Sequence, residues 1–154
     1  MPEIGKKAPD FELPATKGDS FRLSEALGKG HVLLAFYPFD WSPVCTNELG
    51  YLNTNRDTFA RHGVSIAAIS VDSPFSHQAW ADTEALAFPL LSDFNKTVCA
   101  EYDVVCEEFS GLRGFAKRSV FLIASDGTVR YRWVTDDPGV EPDYQKLEEA
   151  AAAL

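Results

Sequence analysis

Cysteine is scarce: Cys45, Cys99 and Cys106 are the only three in 154 residues. The number is odd and too small for a disulfide-stapled scaffold, so at least one thiol is free or pairs outside the chain. No Cys-x-x-Cys pair occurs, which argues against a dithiol exchange centre, and the paired spacing of a zinc site is missing too. Long apolar runs are also lacking. The longest, Val32 to Tyr37, falls far short of the roughly 20 residues needed to span a bilayer. The opening Met-Pro-Glu-Ile-Gly-Lys-Lys has no apolar stretch of the kind that directs secretion, so the expectation is a cytoplasmic protein. Positive charge is outweighed, with 14 Lys and Arg against 23 Asp and Glu for a net charge of −9. A field of that sign repels a nucleic-acid backbone and an anionic membrane alike. Repeats and low-complexity tracts are absent apart from the Ala-rich tail, Ala150 to Ala153.

What is present is the balance of an ordinary globular domain, 45% hydrophobic and 24% charged, and the length suits one domain over residues 1–154. The first thirty residues, rich in Pro, Gly and charge with brief alternation at Phe11, Leu13, Phe21 and Leu23, predict a small hairpin. His31 to Tyr37, Val64 to Val71 and Ser119 to Ala124 are continuous apolar runs of strand length, suited to strands buried on both faces. Asp126-Gly127 predicts a tight turn into Thr128 to Val134, whose alternation suggests a half-exposed strand. Helical stretches are expected over Pro43 to His62, Phe75 to Leu86, Phe94 to Tyr102 and Pro142 to Leu154. A buried strand, a helix of about 20 residues and a second buried strand make a βαβ crossover. With the antiparallel hairpin and terminal helix, the expected class is α/β: a thioredoxin-like sandwich, its central mixed sheet flanked by helices, with an N-terminal hairpin extension.

Chemistry concentrates where the first buried strand meets the long helix, in Pro38-Phe-Asp-Trp-Ser42-Pro-Val-Cys45-Thr-Asn-Glu48. Ser42 is a favourable N-cap, and Pro43 falls at the first helical position, where a missing N–H costs nothing. Cys45 then sits at about the third helical position. The positive helix end and unpaired N–H groups there favour a thiolate, and strand-to-helix junctions are the usual place for sites in α/β folds. The competing reading is a small buried hydrophobe under a well-capped helix.

These residues resemble the peroxiredoxin signature: Pro38-x-x-x-Ser42-x-x-Cys45 followed by Thr46-x-Glu48. Further matches follow in order along nearly the whole chain: Gly5-x-x-Ala8-Pro9-Asp10-Phe11, Val71-Asp72-Ser73-Pro74, Leu91-Ser92-Asp93 and Arg118-Ser119-Val120-Phe121-Leu122-Ile123. The resemblance is nearest the bacterioferritin-comigratory and alkyl hydroperoxide reductase E types. It implies a thiol-dependent peroxidase reducing hydrogen peroxide and organic hydroperoxides, with no metal and no organic cofactor. Cys45 would be the peroxidatic cysteine that becomes a sulfenic acid, Ser42 a hydrogen-bonding partner of thiolate and peroxide, and Pro38 a shield against water. Arg118 would stabilise the thiolate and the breaking oxygen–oxygen bond, with Glu48 orienting the guanidinium. Fixed cationic donors are suited to that developing charge. Phe39 and Trp41 read as core residues, with lining for an organic peroxide as the alternative. His31, His62 and His77 show no spacing to Cys45 that suggests a general base and read as structural or exposed.

The chain departs from the pattern at Gly50, where many bacterioferritin-comigratory proteins carry a second cysteine five residues after the first. Cys106 and Cys99 are the substitutes in hand. Seven residues on one helix rise about 10.5 Å, beyond the roughly 7 Å between alpha carbons that a disulfide allows. The Asp103-Val104-Val105 break leaves a contact between them open. Either cysteine resolves Cys45 after local unfolding, or an external thiol reduces the sulfenic acid directly, the favoured route. The implied reductants are thioredoxin, glutaredoxin or a low-molecular-weight thiol, and the implied assembly a monomer or homodimer. A redox sensor or binding module that uses Cys45 oxidation as a signal is the alternative from a different functional class.

Overall fold

A computed structural model describes residues 2–154. In chain order its elements are β1 (Glu12–Pro14), β2 (Ser20–Arg22), α1 (Leu23–Leu27), β3 (His31–Phe36), α2 (Pro43–Thr54), α3 (Arg56–Ala60) and β4 (Val64–Ser70). Then follow α4 (Pro74–Glu84), β5 (Leu90–Ser92), α5 (Thr97–Glu101), β6 (Ser119–Ile123), β7 (Val129–Val134) and α6 (Tyr144–Ala152). β1 and β2 form the N-terminal hairpin; the other strands make one mixed sheet in the order β5-β4-β3-β6-β7. β3 pairs parallel to β4 and antiparallel to β6. The fold is the thioredoxin-like α/β sandwich with a hairpin extension that the apolar runs predict.

Strand side chains alternate between faces, so β3 divides the core in two. Val32, Leu34 and Phe36 join Ile69, Phe121 and Ile123 under the hairpin and α5, with Cys99 among them. Leu33, Ala35 and Tyr37 face the other way, toward Leu49, Leu52, Phe59, Trp80 and Leu147 of the helices, with Cys45 among them. Val32 through Tyr37 are all fully buried. At about 1.5–3 kcal/mol for each large apolar side chain, this strand is firmly held, and so is the start of the loop that follows it.

Several boundaries move. The helix expected over Pro43 to His62 breaks at Asn55 (φ −101°, ψ 13°), which closes α2 by donating both its N–H (3.0 Å) and its side-chain amide (2.9 Å) to the Tyr51 carbonyl. The helix expected from Phe94 begins only at Thr97, because Lys96 is left-handed (φ 65°) and Asp93 accepts the N–H groups of Val98 and Cys99. The last helix starts at Tyr144, capped by Asp143. β5 is an added edge strand and α1 an added helix, both too short for periodicity to reveal. Among the described residues, no helix is long and apolar enough to cross a membrane.

Candidate active site

α2 begins as its local sequence dictates. Ser42 is extended (φ −68°, ψ 143°), its Oγ accepts the Cys45 N–H at 3.2 Å, and Pro43 occupies the first helical position. The Thr46 hydroxyl donates to the Ser42 carbonyl at 2.8 Å and tightens the same turn. Cys45 is fully buried at the third position. Ser42 thus touches Cys45 through the backbone cap.

The sheet brings Arg118 to the sulfur. Ser119 pairs with Phe36 at the carboxyl end of β3, so Arg118 enters beside the loop that carries Cys45. Its side chain is only 1% exposed; Nη2 donates to Cys45 Sγ at 3.4 Å and Nη1 to Glu48 Oε1 at 3.2 Å. Nε and Nη2 also donate to the Pro138 carbonyl, at 3.2 and 2.7 Å. Glu48, one turn beyond Cys45 on α2, is fully buried, and the site therefore consists of one cation facing two acids. Burial works against the Arg118 charge, yet Glu48 and Cys45 hold the guanidinium more firmly protonated than usual. Burial pushes Glu48 up to about 7 against the pull of Arg118, with Glu141 adding to the rise. Its second oxygen, Oε2, has no hydrogen-bond partner among the described residues. Magnitudes rank the two influences on the thiolate. A guanidinium 3.4 Å away would stabilise a full negative charge on the sulfur by on the order of 5 kcal/mol at an effective dielectric of about 20. A helix N-terminus contributes about 1 kcal/mol. Arg118 outweighs the helix end.

A cleft of about 450 Å³ opens beside this group, lined by Pro38, Phe39, Ser42, Pro43, Phe109, Leu112, Phe115, Arg118 and Pro138. Pro38 is buried in its wall. Phe39 is a half-buried wall residue packed at a tilt against Phe115 (centroids 4.8 Å), and Trp41 is exposed, so neither is the core residue expected from sequence. Phe109 and Leu112, which the sequence patterns did not single out, come from a two-residue turn at Ser110-Gly111, where both residues have positive φ; that dipeptide is the one local signal for the turn. The Pro138 carbonyl, a backbone group, leaves no signal of its own. A larger recess of about 610 Å³, between the hairpin and α5, contains none of these residues.

The other cysteines stand apart. Cys99 lies in the opposite half of the core, where burial and then Asp93 push its thiol well above the ordinary range. Cys106 is 8% exposed on the strand-like segment behind Phe115, its N–H donating to the Phe115 carbonyl at 2.8 Å. All three thiols are free. His31 accepts the Ser125 N–H, His62 is exposed, and His77 is buried against Asp40. Asp40, Asp72 and His77 are close enough to hold a metal ion, but Asp40, His77 and the Oδ2 of Asp72 already have hydrogen-bond partners.

The model of the AhpC/TSA family matches residues 4–132. A putative peroxiredoxin bcp of Coxiella burnetii is 36% identical over 133 residues, covering 85% of this chain and 87% of the relative. Among solved structures, peroxidoxin BcpB of Mycobacterium tuberculosis is similar at 30% identity and a TM-score of 0.90, covering 100% of this chain and 99% of that one. The bacterioferritin comigratory protein of Xanthomonas campestris, described for its alkyl peroxide reduction activity, is 27% identical with a TM-score of 0.84, each chain 98% covered. The chain spans about half the length of the chloroplastic 2-Cys peroxiredoxins BAS1 of Spinacia oleracea and Arabidopsis thaliana (54% and 53%), to which it is 32% identical over 146 residues, 88% of this chain.

Proposed function

The chain belongs to the AhpC/TSA family of peroxiredoxins, and from that premise we propose that it acts, as one domain, as a thiol-dependent peroxidase reducing hydrogen peroxide and organic hydroperoxides. The likeness to the BcpB and bacterioferritin comigratory structures supports that branch of the family. One observation carries the reading: the guanidinium of Arg118 stands 3.4 Å from the buried Cys45 sulfur and binds Glu48 with its other arm.

The Cys45 thiolate attacks one peroxide oxygen. A sulfur–oxygen bond forms as the oxygen–oxygen bond breaks, Cys45 becomes a sulfenic acid, and the peroxide leaves as water or an alcohol after taking up a proton. Charge grows on the leaving oxygen, and the N–H groups of Arg118 are fixed donors for it. Ser42 holds the helix start, Pro38 shields the sulfur, and Glu48 orients Arg118. The apolar wall of Phe39, Phe109 and Leu112 suits the carbon chain of an organic hydroperoxide. Sulfur carries the whole reaction, so the reading calls for no metal or organic cofactor.

Recycling falls to an external thiol, whether thioredoxin, glutaredoxin or a small thiol, in the reducing cytoplasm. It displaces water from the sulfenic acid to give a mixed disulfide, which a second thiol reduces. Cys99 packs in the half of the core opposite Cys45, and Cys106, whose N–H binds the carbonyl of Phe115 in the cleft wall, is the better placed internal substitute. The mechanism works equally in a monomer or a homodimer. The test is the intact mass and peptide map of the reduced chain after one equivalent of peroxide. One added oxygen on Cys45 is expected. Loss of two hydrogens with a Cys45–Cys106 link would replace the external thiol by an internal one, and an unchanged Cys45 would overturn the reading in favour of a binding module.

A further inference from the structure

The loop joining β3 to α2 is tied down by groups that the peroxide step does not use. Asp40 is buried in that loop; its Oδ1 accepts the Tyr37 hydroxyl at 2.7 Å, and its Oδ2 lies 2.8 Å from Nδ1 of His77. His77, fully buried on α4, has Nε2 3.0 Å from the Leu91 carbonyl of β5. A carbonyl oxygen only accepts, so Nε2 carries a proton. Lone pairs facing each other across 2.8 Å would repel, so a second proton lies between Nδ1 and Asp40. The two side chains together are neutral and fully hydrogen-bonded, the condition under which a buried pair is tolerated.

The network continues through the backbone. The Asp40 N–H donates to Asp72 Oδ2 at 2.8 Å, and the same oxygen accepts the Ser70 hydroxyl at 2.6 Å. Tyr37, Asp72 and the Leu91 carbonyl thus surround the pair from the residue after β3, from the segment after β4 and from β5. The next residue, Trp41, is left-handed at φ 73°, a conformation that costs a non-glycine residue about 1–2 kcal/mol. Its indole is 52% exposed and gives little packing in return. The turn is held from its two sides, by Asp40 before it and by Ser42 after it, whose Oγ takes the Cys45 N–H.

We propose that His77 is a positioning residue for the peroxide step: acting through Asp40, it fixes the turn from Pro38 to Ser42 and so the place of the Cys45 sulfur against Arg118. This rests on the peroxidase reading above.

Two substitutions separate positioning from mere support. The amide nitrogen of Asn lies as many bonds from Cβ as Nδ1, and that of Gln as many as Nε2. His77→Asn therefore keeps the donor to Asp40, whereas His77→Gln keeps only the donor to Leu91. Both are expected to lower the melting temperature. His77→Asn should keep most of the wild-type rate with peroxide, while His77→Gln should lose up to about 100-fold, the scale of a displaced reacting atom. Asp40→Asn should match the Gln variant and carries the test if neither His77 variant folds. Equal losses in the two His77 variants, or normal rates with only the melting temperature lowered, would overturn the proposal. Alkylation of Cys45 by iodoacetamide, followed in the same proteins, keeps the two claims apart. A wild-type chain that alkylates but ignores peroxide would refute the peroxidase reading, and the Asn–Gln split in alkylation would still decide the role of His77.

Discussion

Cys45 and Cys99 occupy the same local position with opposite surroundings. Each is the third residue of a helix that follows a strand, α2 after β3 and α5 after β5. Each has its N–H taken by a side-chain oxygen, Ser42 Oγ for Cys45 and Asp93 Oδ2 for Cys99. The caps differ in charge, and so do the neighbours. Cys45 faces the Arg118 guanidinium; Cys99 faces a carboxylate that, with burial, pushes its thiol up. A helix start alone therefore does not set the charge that a cysteine meets. The sign of the nearest fixed charge outweighs the helix end, as their magnitudes require.

Removing the sulfur breaks the comparison most completely. Cys45→Ser should abolish peroxide consumption, while Cys99→Ser should leave the rate unchanged, both read in a steady-state assay with an external thiol. Next in size is the charge itself. Arg118→Ala removes the donor to the sulfur and should slow the peroxide step by about 100- to 1,000-fold, the range seen when a fixed transition-state donor is deleted. Stopped-flow mixing with peroxide measures it directly. The same change strands Glu48 in the core, so the variant should also melt earlier.

The Cys45 side of this comparison is largely legible in the sequence, because its determinants are local. A cap, a proline and a cysteine within four residues specify the helix start, and apolar runs specify the strands on either side. Arg118 and Glu48 are reached through family resemblance, and their meeting depends on the pairing of β6 with β3. The Cys99 side is not legible. Which face of the sheet a short helix covers depends on contacts remote in sequence, and the five residues of α5 are too few to show a period. Asp40 and His77, far apart in the chain, carry no mark of their union in either segment. The break at Asn55 and the turn at Ser110-Gly111 are written locally, in an Asn side chain and a Ser-Gly pair, but longer patterns mask them.

Asp93→Asn sharpens the contrast from the other side. It removes the negative charge beside Cys99 while keeping one oxygen to accept an N–H, at a cost of about 1 kcal/mol in capping. Iodoacetamide labelling of Cys99 should speed up, and the rate of Cys45 with peroxide should not move. The gain should be modest, since burial is the larger cause of the raised thiol and survives the substitution. A Cys99 that became as reactive as Cys45 would show that the guanidinium is not what separates the two thiols.

The smallest effect concerns the second acid on Arg118. Glu48 titrates near 7 in the folded chain against an ordinary 4.5, because burial outweighs the attraction of Arg118. The folded state therefore binds the Glu48 proton more tightly than the unfolded state does. Stability from this group is complete below about pH 4.5 and is lost as pH rises through about 7. Denaturant midpoints of the wild-type chain should fall across that window, and Glu48→Gln, neutral throughout, should flatten the decline. If Arg118 dominated instead, the slope would reverse, with stability growing as Glu48 ionised. The sign of that slope decides which of two buried forces, desolvation or attraction, governs the pair of Glu48 and Arg118.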